Sequence, residues 1–183
     1  MRFFTMLMIA IGLIVLVFVL IFKSLGGGPS KPPLNLNSYA NSAATAQLTI
    51  DGPINADQDH QEVQITVGNA YNQFQILTGY QGTVATTKTF ESNQAAYAEF
   101  LHALTIAGFT KGNTEASLSD DRGYCPTGER YIFELTQGSD TIIHFWSSSC
   151  GGGTYGGNTD TTLNLFENQI PNYYQLTNNL FAI

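Results

Sequence analysis

An uninterrupted apolar run at the amino terminus constrains this chain more than any other feature. Residues 3–22 read FFTMLMIAIGLIVLVFVLIF and contain neither a charged residue nor a proline. An α-helix of this length rises about 30 Å, which matches the apolar thickness of a bilayer. The run therefore predicts one transmembrane helix. We expect residues 1–24 to form a membrane anchor in which residues 3–22 contact the lipid bilayer.

Two other kinds of amino-terminal segment share this apolar character. A cleaved signal peptide has a shorter apolar region of about 7–15 residues followed by a cleavage site with small residues, whereas Lys23-Ser24-Leu25 follows here. A pilin-type helix characteristically carries a glutamate in its apolar segment and continues into the globular head. This run contains no glutamate, and Gly26-Gly27-Gly28-Pro29 ends it. The sequence therefore favours an uncleaved anchor over both alternatives.

A glycine- and proline-rich segment separates the predicted anchor from the rest of the chain. Residues 26–33 read GGGPSKPP, a composition typical of linkers. The small polar residues that follow it are expected to stay extended. We therefore predict a flexible linker over residues 25–45 and one domain over residues 46–183, a length that suffices for a single hydrophobic core.

The charge of the predicted domain excludes one class of partner. The chain has a net charge of −7, and its 14 Asp and Glu residues all follow Lys31, a region that contains only four Lys and Arg residues. A nucleic-acid-binding protein needs a basic surface that displaces counterions from phosphate. We therefore expect no nucleic-acid partner.

The hydrophobic pattern of the predicted domain indicates both strands and helices. Between residues 47 and 90, short stretches of alternating apolar residues predict antiparallel strands joined by short turns. Between Ser92 and Gly108 the apolar residues recur at helical spacing, and Gly108 is typical of a helix end. The carboxy-terminal segment predicts two short helices separated at Pro171. The predicted fold is α+β: an N-terminal transmembrane helix followed by a mainly antiparallel sheet with one long helix and short C-terminal helices.

Residues 130–147 predict a β-hairpin and, with it, a contact surface. In the predicted register Tyr131 lies opposite Trp146, Phe133 opposite His144, and Leu135 opposite Ile142. The other face, which includes Phe145, is unusually apolar for a solvent-exposed face, so either another element covers it or it contacts a partner. Aromatic residues are enriched at protein contacts. The candidate binding residues are Tyr124, Phe145 and Tyr155.

Cys125 and Cys150 are the only cysteines in the chain. The predicted hairpin register brings them within reach of a disulfide, and disulfides persist outside the cytoplasm. The flanking charges give little information on orientation, but the cysteines and the acidic domain favour an external position. We therefore predict a Cys125–Cys150 disulfide in a single-pass cell-membrane protein whose C-terminal domain lies outside the cytoplasm. A nucleophilic Cys150 with His144 as its base stays open as an alternative and requires free thiols.

The remaining polar segments do not predict a catalytic, metal or cofactor site. Asp51, Asp57, Asp59 and Glu62 are typical of a solvated acidic loop, because the ligand spacing of an EF-hand is absent. The glycine-rich residues 151–157 lack the lysine of a phosphate-binding P-loop. A structural zinc site needs about four ligands, and the three histidines are dispersed. We therefore expect no catalytic residues, no metal and no cofactor.

Four short motifs carry a resemblance to known proteins. They are Gly108-Phe109, Arg122-Gly123-Tyr124-Cys125-Pro126, Tyr131-Ile132-Phe133-Glu134-Leu135 and the WSSSCG sequence of residues 146–151. Together they resemble uncharacterised, membrane-anchored envelope proteins of ultrasmall, reduced-genome bacteria of the Saccharibacteria type. The order of strands, helix, hairpin and C-terminal helix is similar to small emfourin-like protease-inhibitor domains. The resemblance implies an envelope location and leaves the activity open.

Three functions are compatible with these features. The leading prediction is a non-enzymatic binding or structural module, because the anchor, linker and disulfide occur without a catalytic motif. Its partner would be an envelope or surface protein. The alternatives are a protease-inhibitor-like domain and an envelope hydrolase.

Overall fold

The computed structural model of the protein describes residues 34–181. Within this range, no helix is long and apolar enough to cross a membrane. The anchor predicted over residues 1–24 lies outside the described residues, as does the glycine- and proline-rich part of the predicted linker.

A six-stranded antiparallel sheet forms the centre of the described domain. Its strands are β1 (Ala44–Asp51), β2 (Gln61–Val67), β3 (Tyr71–Thr78), β4 (Thr83–Glu91), β5 (Arg130–Gln137) and β6 (Asp140–Ser148). The spatial order β4-β3-β2-β1-β5-β6 means that the first four strands form a meander and that the β5–β6 hairpin joins the sheet beside β1. The helices are α1 (Gln94–Ala107), α2 (Thr159–Glu167) and α3 (Tyr173–Thr177). The predicted α+β class and antiparallel sheet are confirmed.

Helix α1 begins and ends where its capping residues permit. The side chain of Asn93 accepts a hydrogen bond from the backbone N–H of Ala96 at 3.0 Å, so Asn93 is the N-cap of the helix. Gly108 ends the helix in the left-handed conformation (φ 85°), as the sequence predicts. Tyr97, Phe100, Leu101, Leu104 and Ala107 are the buried residues of the helix, and they recur at helical spacing.

The hydrophobic core lies between one face of the sheet and the helices. The strand register places Leu48, Ile65, Phe74 and Phe133 side by side on that face, and all four are fully buried. Phe109, which follows α1, meets Phe133 edge to face with ring centroids 6.3 Å apart. The opposite face of the sheet carries the alternate residues of each strand.

The β5–β6 hairpin departs from the predicted register by one residue. Thr136 pairs with Thr141 near the turn, as predicted, but a β-bulge between Leu135 and Thr136 places Phe133 opposite Phe145 rather than His144. A shift of one residue moves the paired side chains to the other face of a strand. Phe145 therefore lies in the core at 5% exposure, so its predicted place on a contact surface is wrong.

The folded domain begins earlier in the chain than predicted. Residues Leu36–Tyr39 form a 3-10 helix, Leu36 is fully buried, and β1 begins at Ala44. A buried leucine ties a segment to the core through the apolar surface that it removes from water. Residues 35–45 therefore pack with the described domain, ahead of the boundary predicted at residue 45.

Candidate functional site

The two cysteines form a disulfide at the open end of the β5–β6 hairpin. Cys125 and Cys150 have Cα atoms 5.6 Å apart, in agreement with the predicted pair. Neither sulfur is therefore available as the nucleophile of a Cys150–His144 hydrolase. His144 instead donates from Nδ1 to the Glu134 carboxylate at 2.9 Å. That hydrogen bond raises the pKa of His144, because it stabilises the imidazolium.

The three aromatic residues predicted as binding residues do not form one surface. Phe145 belongs to the core. Tyr155 is half-buried, and its ring centroid lies 4.4 Å from that of Phe133. Tyr124 is 50% exposed and packs against Trp146 at 4.6 Å. Of the three, only Tyr124 has a largely solvent-exposed side chain.

The sheet face opposite the helices is lined mainly by threonine and glutamine. The strand register aligns two neighbouring rows across the sheet. One row contains Thr89, Gln73, Thr66, Gln47, Glu134 and His144, and the other contains Thr87, Gln75, Gln64, Thr49, Ile132 and Trp146. We call these side chains the polar face. Most of them are neutral amides and hydroxyls, which can both donate and accept hydrogen bonds.

The hydrogen bonds around Gln47 and Gln64 in the polar face are long, whereas the bond from His144 to Glu134 at its edge is 2.9 Å. Gln47 Nε2 lies 3.4 Å from the Glu134 carboxylate, Thr66 donates to Gln47 Oε1 at 3.4 Å, and Gln64 Nε2 donates to Thr49 at 3.5 Å. Well-formed bonds of this kind cluster near 2.7–3.0 Å, and longer ones are weaker. The side chains around Gln47 and Gln64 therefore keep much of their hydrogen-bonding capacity for a ligand.

A charged cluster lies at one end of the same sheet face. Asp51 of β1 pairs with Glu62 of β2 on one side and with Arg130 of β5 on the other. Arg130 is only 3% exposed, and its Nη2 lies 2.5 Å from Asp51 Oδ2. The guanidinium also donates to the carbonyl oxygens of Gly52 and Tyr124, each at 3.1 Å. The buried positive charge is thus held by one carboxylate and two backbone carbonyls.

His60 completes the charged cluster. It is 1% exposed, and its Nε2 lies 3.1 Å from Asp51 Oδ1 and 3.5 Å from Glu62 Oε1. Its ring stacks on Tyr80 with centroids 4.0 Å apart. Nδ1 is 3.4 Å from the carbonyl oxygen of Pro53. The ring thus turns Nδ1 towards a backbone carbonyl and Nε2 towards the two carboxylates.

The carboxylates of the cluster influence each other's protonation. Glu62 is partly buried, and this desolvation raises its pKa, with a further increase from the neighbouring Asp51. Like charges placed directly opposite each other in a sheet are destabilising. The pairing of Asp51 with Glu62 therefore requires positive charge nearby, which Arg130 supplies only in part.

This cluster was not predicted from the sequence, which grouped Asp51 and Glu62 with Asp57 and Asp59. The structure separates the four residues. Asp57 and Asp59 are exposed in the 3-10 helix Asp57–Asp59, whereas Asp51 and Glu62 face each other across the sheet. The available signal was the β1–β2 hairpin itself, because its register sets two carboxylates opposite each other with His60 immediately before β2.

The chain matches no protein-family model, and no curated protein is significantly similar to it in sequence. A function for the chain must therefore be inferred from the polar face and the charged cluster.

Proposed function

We propose that this protein is a non-enzymatic binding module displayed on the outer side of a cell membrane, and that its polar face binds a neutral, hydroxyl-rich polymer such as a glycan strand. The apolar run of residues 3–22 supports an anchor. The Cys125–Cys150 disulfide supports an oxidising location outside the cytoplasm.

The polar face is the observation that carries this proposal. Its glutamine amides each offer two donors and one acceptor, and its threonine hydroxyls offer one donor and two acceptor lone pairs. Sugar hydroxyls likewise donate and accept. The long bonds around Gln47 and Gln64 can be exchanged for bonds to such a ligand at little cost, because they are weak in the free protein.

Charge and composition favour a neutral glycan over other partners. The chain carries a net charge of −7, so a polyanion would be repelled. The cores of protein interfaces are enriched in aromatic residues, whereas the large apolar members of the polar face are Ile132 and Trp146, and Trp146 is buried. A protein partner on this face is thus the less favoured occupant.

Binding of the full 183-residue chain in detergent to an array of neutral oligosaccharides tests the proposal. The test variant combines Gln47→Ala, Gln64→Ala and Gln73→Ala, three positions on the central strands of the polar face. We expect wild-type protein to bind, and the triple variant to bind about tenfold more weakly or less, as the loss of several hydrogen bonds predicts.

The matched control replaces exposed polar residues on the helical side of the domain. Glu99→Ala with His102→Ala alters two exposed residues of α1 and should leave glycan binding unchanged. The proposal is wrong if wild-type protein binds no neutral oligosaccharide, or if the triple variant binds as well as wild type. Near-stoichiometric inhibition of a secreted peptidase without glycan binding would favour the inhibitor-like alternative, for which the exposed residues 111–120 offer a loop held by the 2.8 Å bond from Trp146 Nε1 to Leu118 O.

A further inference from the structure

We propose that Asp51, His60 and Glu62 bind a divalent transition-metal ion and that Zn²⁺ fits this set of ligands best. The three candidate ligand atoms are Asp51 Oδ1, His60 Nε2 and Glu62 Oε1, and all lie within 4.8 Å of one another. They come from the end of β1, the residue before β2, and the second residue of β2. The β1–β2 pairing therefore assembles the site.

The separations within the cluster match those between ligands of one ion. A tetrahedral Zn²⁺ with bonds of about 2.0–2.1 Å places neighbouring ligand atoms about 3.3–3.4 Å apart. His60 Nε2 lies 3.1 Å from Asp51 Oδ1 and 3.5 Å from Glu62 Oε1. These two separations match the tetrahedral spacing, and the two carboxylate oxygens lie within 4.8 Å of each other.

Asp51 Oδ1 is a buried oxygen without a hydrogen-bond partner. His60 Nε2 is near, but the contact does not have the geometry of a hydrogen bond. Buried polar atoms are rarely left unpaired. A metal ion would supply the missing partner of Oδ1 and at the same time use the lone pair of Nε2.

The neighbours of the three candidate ligands orient them as metal ligands are usually oriented. His60 Nδ1 lies 3.4 Å from the Pro53 carbonyl oxygen, to which it would donate when Nε2 binds a metal ion. Arg130 binds the other oxygen of Asp51, Oδ2, and leaves Oδ1 facing His60. Metal-binding histidines typically donate their second N–H to a carbonyl or carboxylate, and ligating carboxylates are hydrogen-bonded in turn.

The formal charge of the cluster calls for two further positive charges. Asp51, Glu62 and Asp121 are the carboxylates around His60 and Arg130, and Asp121 lies 3.7 Å from the guanidinium. Three carboxylates thus face one guanidinium. Partly buried charge that lacks compensation is costly. One divalent cation would neutralise the excess.

The ligand types distinguish between the common divalent ions. Imidazole nitrogen with carboxylate oxygen suits Zn²⁺, whereas Ca²⁺ and Mg²⁺ prefer sites made of oxygen alone. Three protein ligands leave a fourth tetrahedral position for water. Asp51 and Glu62 are both partly exposed, which gives the ion and this water a path from solvent.

Isothermal titration of the untagged full chain with ZnSO₄, after EDTA treatment and dialysis, tests the site. We expect one Zn²⁺ per chain and a higher thermal unfolding temperature in its presence. Co²⁺ in place of Zn²⁺ should give the visible absorption of a tetrahedral complex. Glu62→Gln keeps the size of the side chain and should weaken Zn²⁺ binding about tenfold or more.

Two controls separate loss of the ligand from loss of the fold. Glu99→Gln changes an exposed glutamate of α1 and should bind Zn²⁺ as wild type does. The circular dichroism of Glu62→Gln should equal that of wild type. The metal proposal is wrong if wild-type protein takes up no Zn²⁺, or if the Glu62→Gln variant binds Zn²⁺ with unchanged affinity.

Discussion

Arg130 is the residue whose replacement we expect to cost the most stability. Its guanidinium is buried and compensates Asp51, while Gly52 and Tyr124 accept its other N–H groups. Arg130→Met keeps the length of the side chain but leaves Asp51 beside Glu62 without its cation. Removing one partner of a buried ion pair costs about 3–5 kcal/mol. Urea denaturation in the presence of EDTA measures the change in the free energy of unfolding without a contribution from metal.

Arg122 provides the matched control for that measurement. It also forms an ion pair, with Asp120, but its side chain is 86% exposed. Exposed ion pairs contribute little to stability because water and salt screen them. Arg122→Met should leave the urea midpoint unchanged. If Arg130→Met also left the urea midpoint unchanged, the charged cluster would not stabilise the fold.

The sequence was enough to predict the partners of some residues but not of others. The Cys125–Cys150 pair could be predicted because the chain has no other cysteine and the predicted hairpin brings both close. The role of His60 could not, because its partners Asp51 and Glu62 meet it only once β1 and β2 are paired in register. A histidine that looks isolated in the sequence can thus be central to a cluster in the fold.

At the scale of the elements, the disulfide joins the end of β6 to the loop before β5. The cysteines are 25 residues apart in sequence. In the chain-entropy model, closing a loop of that length removes freedom from the unfolded chain and stabilises the fold by about 3–4 kcal/mol. We expect the double variant Cys125→Ser, Cys150→Ser to lose this amount in urea denaturation. Reduced wild-type protein should show the same loss, and a much smaller loss in both would show that the unfolded chain is already restricted in this region.

The β5–β6 hairpin shows why periodicity identifies a strand more reliably than its pairing. Both strands and the turn were predicted, and the register is correct next to the turn at Thr136 and Thr141. The bulge after Leu135 then inserts one residue without a glycine or proline to mark it. Every pair beyond it shifts, so Phe145 moved into the core and Trp146 moved to the polar face. This single irregularity therefore explains the burial of Phe145.

At the scale of the whole molecule, composition and packing place the start of the domain differently. Residues 34–45 are mostly small and polar, which is typical of a linker, but one of their two leucines ties the segment to the core. Leu36 is fully buried, and the Tyr97 hydroxyl donates to the carbonyl oxygen of Ala44 at 2.9 Å inside the domain. The average composition of a segment changes little when one residue is apolar. The burial of that one side chain nevertheless contributes to the stability of the fold.

A pair of fragments tests this boundary directly. A fragment of residues 34–183 should unfold cooperatively in urea with the stability of an intact domain. A fragment of residues 46–183 loses the burial of Leu36, worth about 1.5–3 kcal/mol, and leaves the buried Tyr97 hydroxyl without its acceptor, at a further cost of about 1–3 kcal/mol. We therefore expect the shorter fragment to be less stable by at least about 2 kcal/mol.

The substitution Leu36→Ala in the longer fragment isolates the contribution of packing to the free energy of unfolding, which we expect to be about 2–5 kcal/mol. Equal stability of the two fragments would instead mean that residues 34–45 serve as a linker, as their composition indicates.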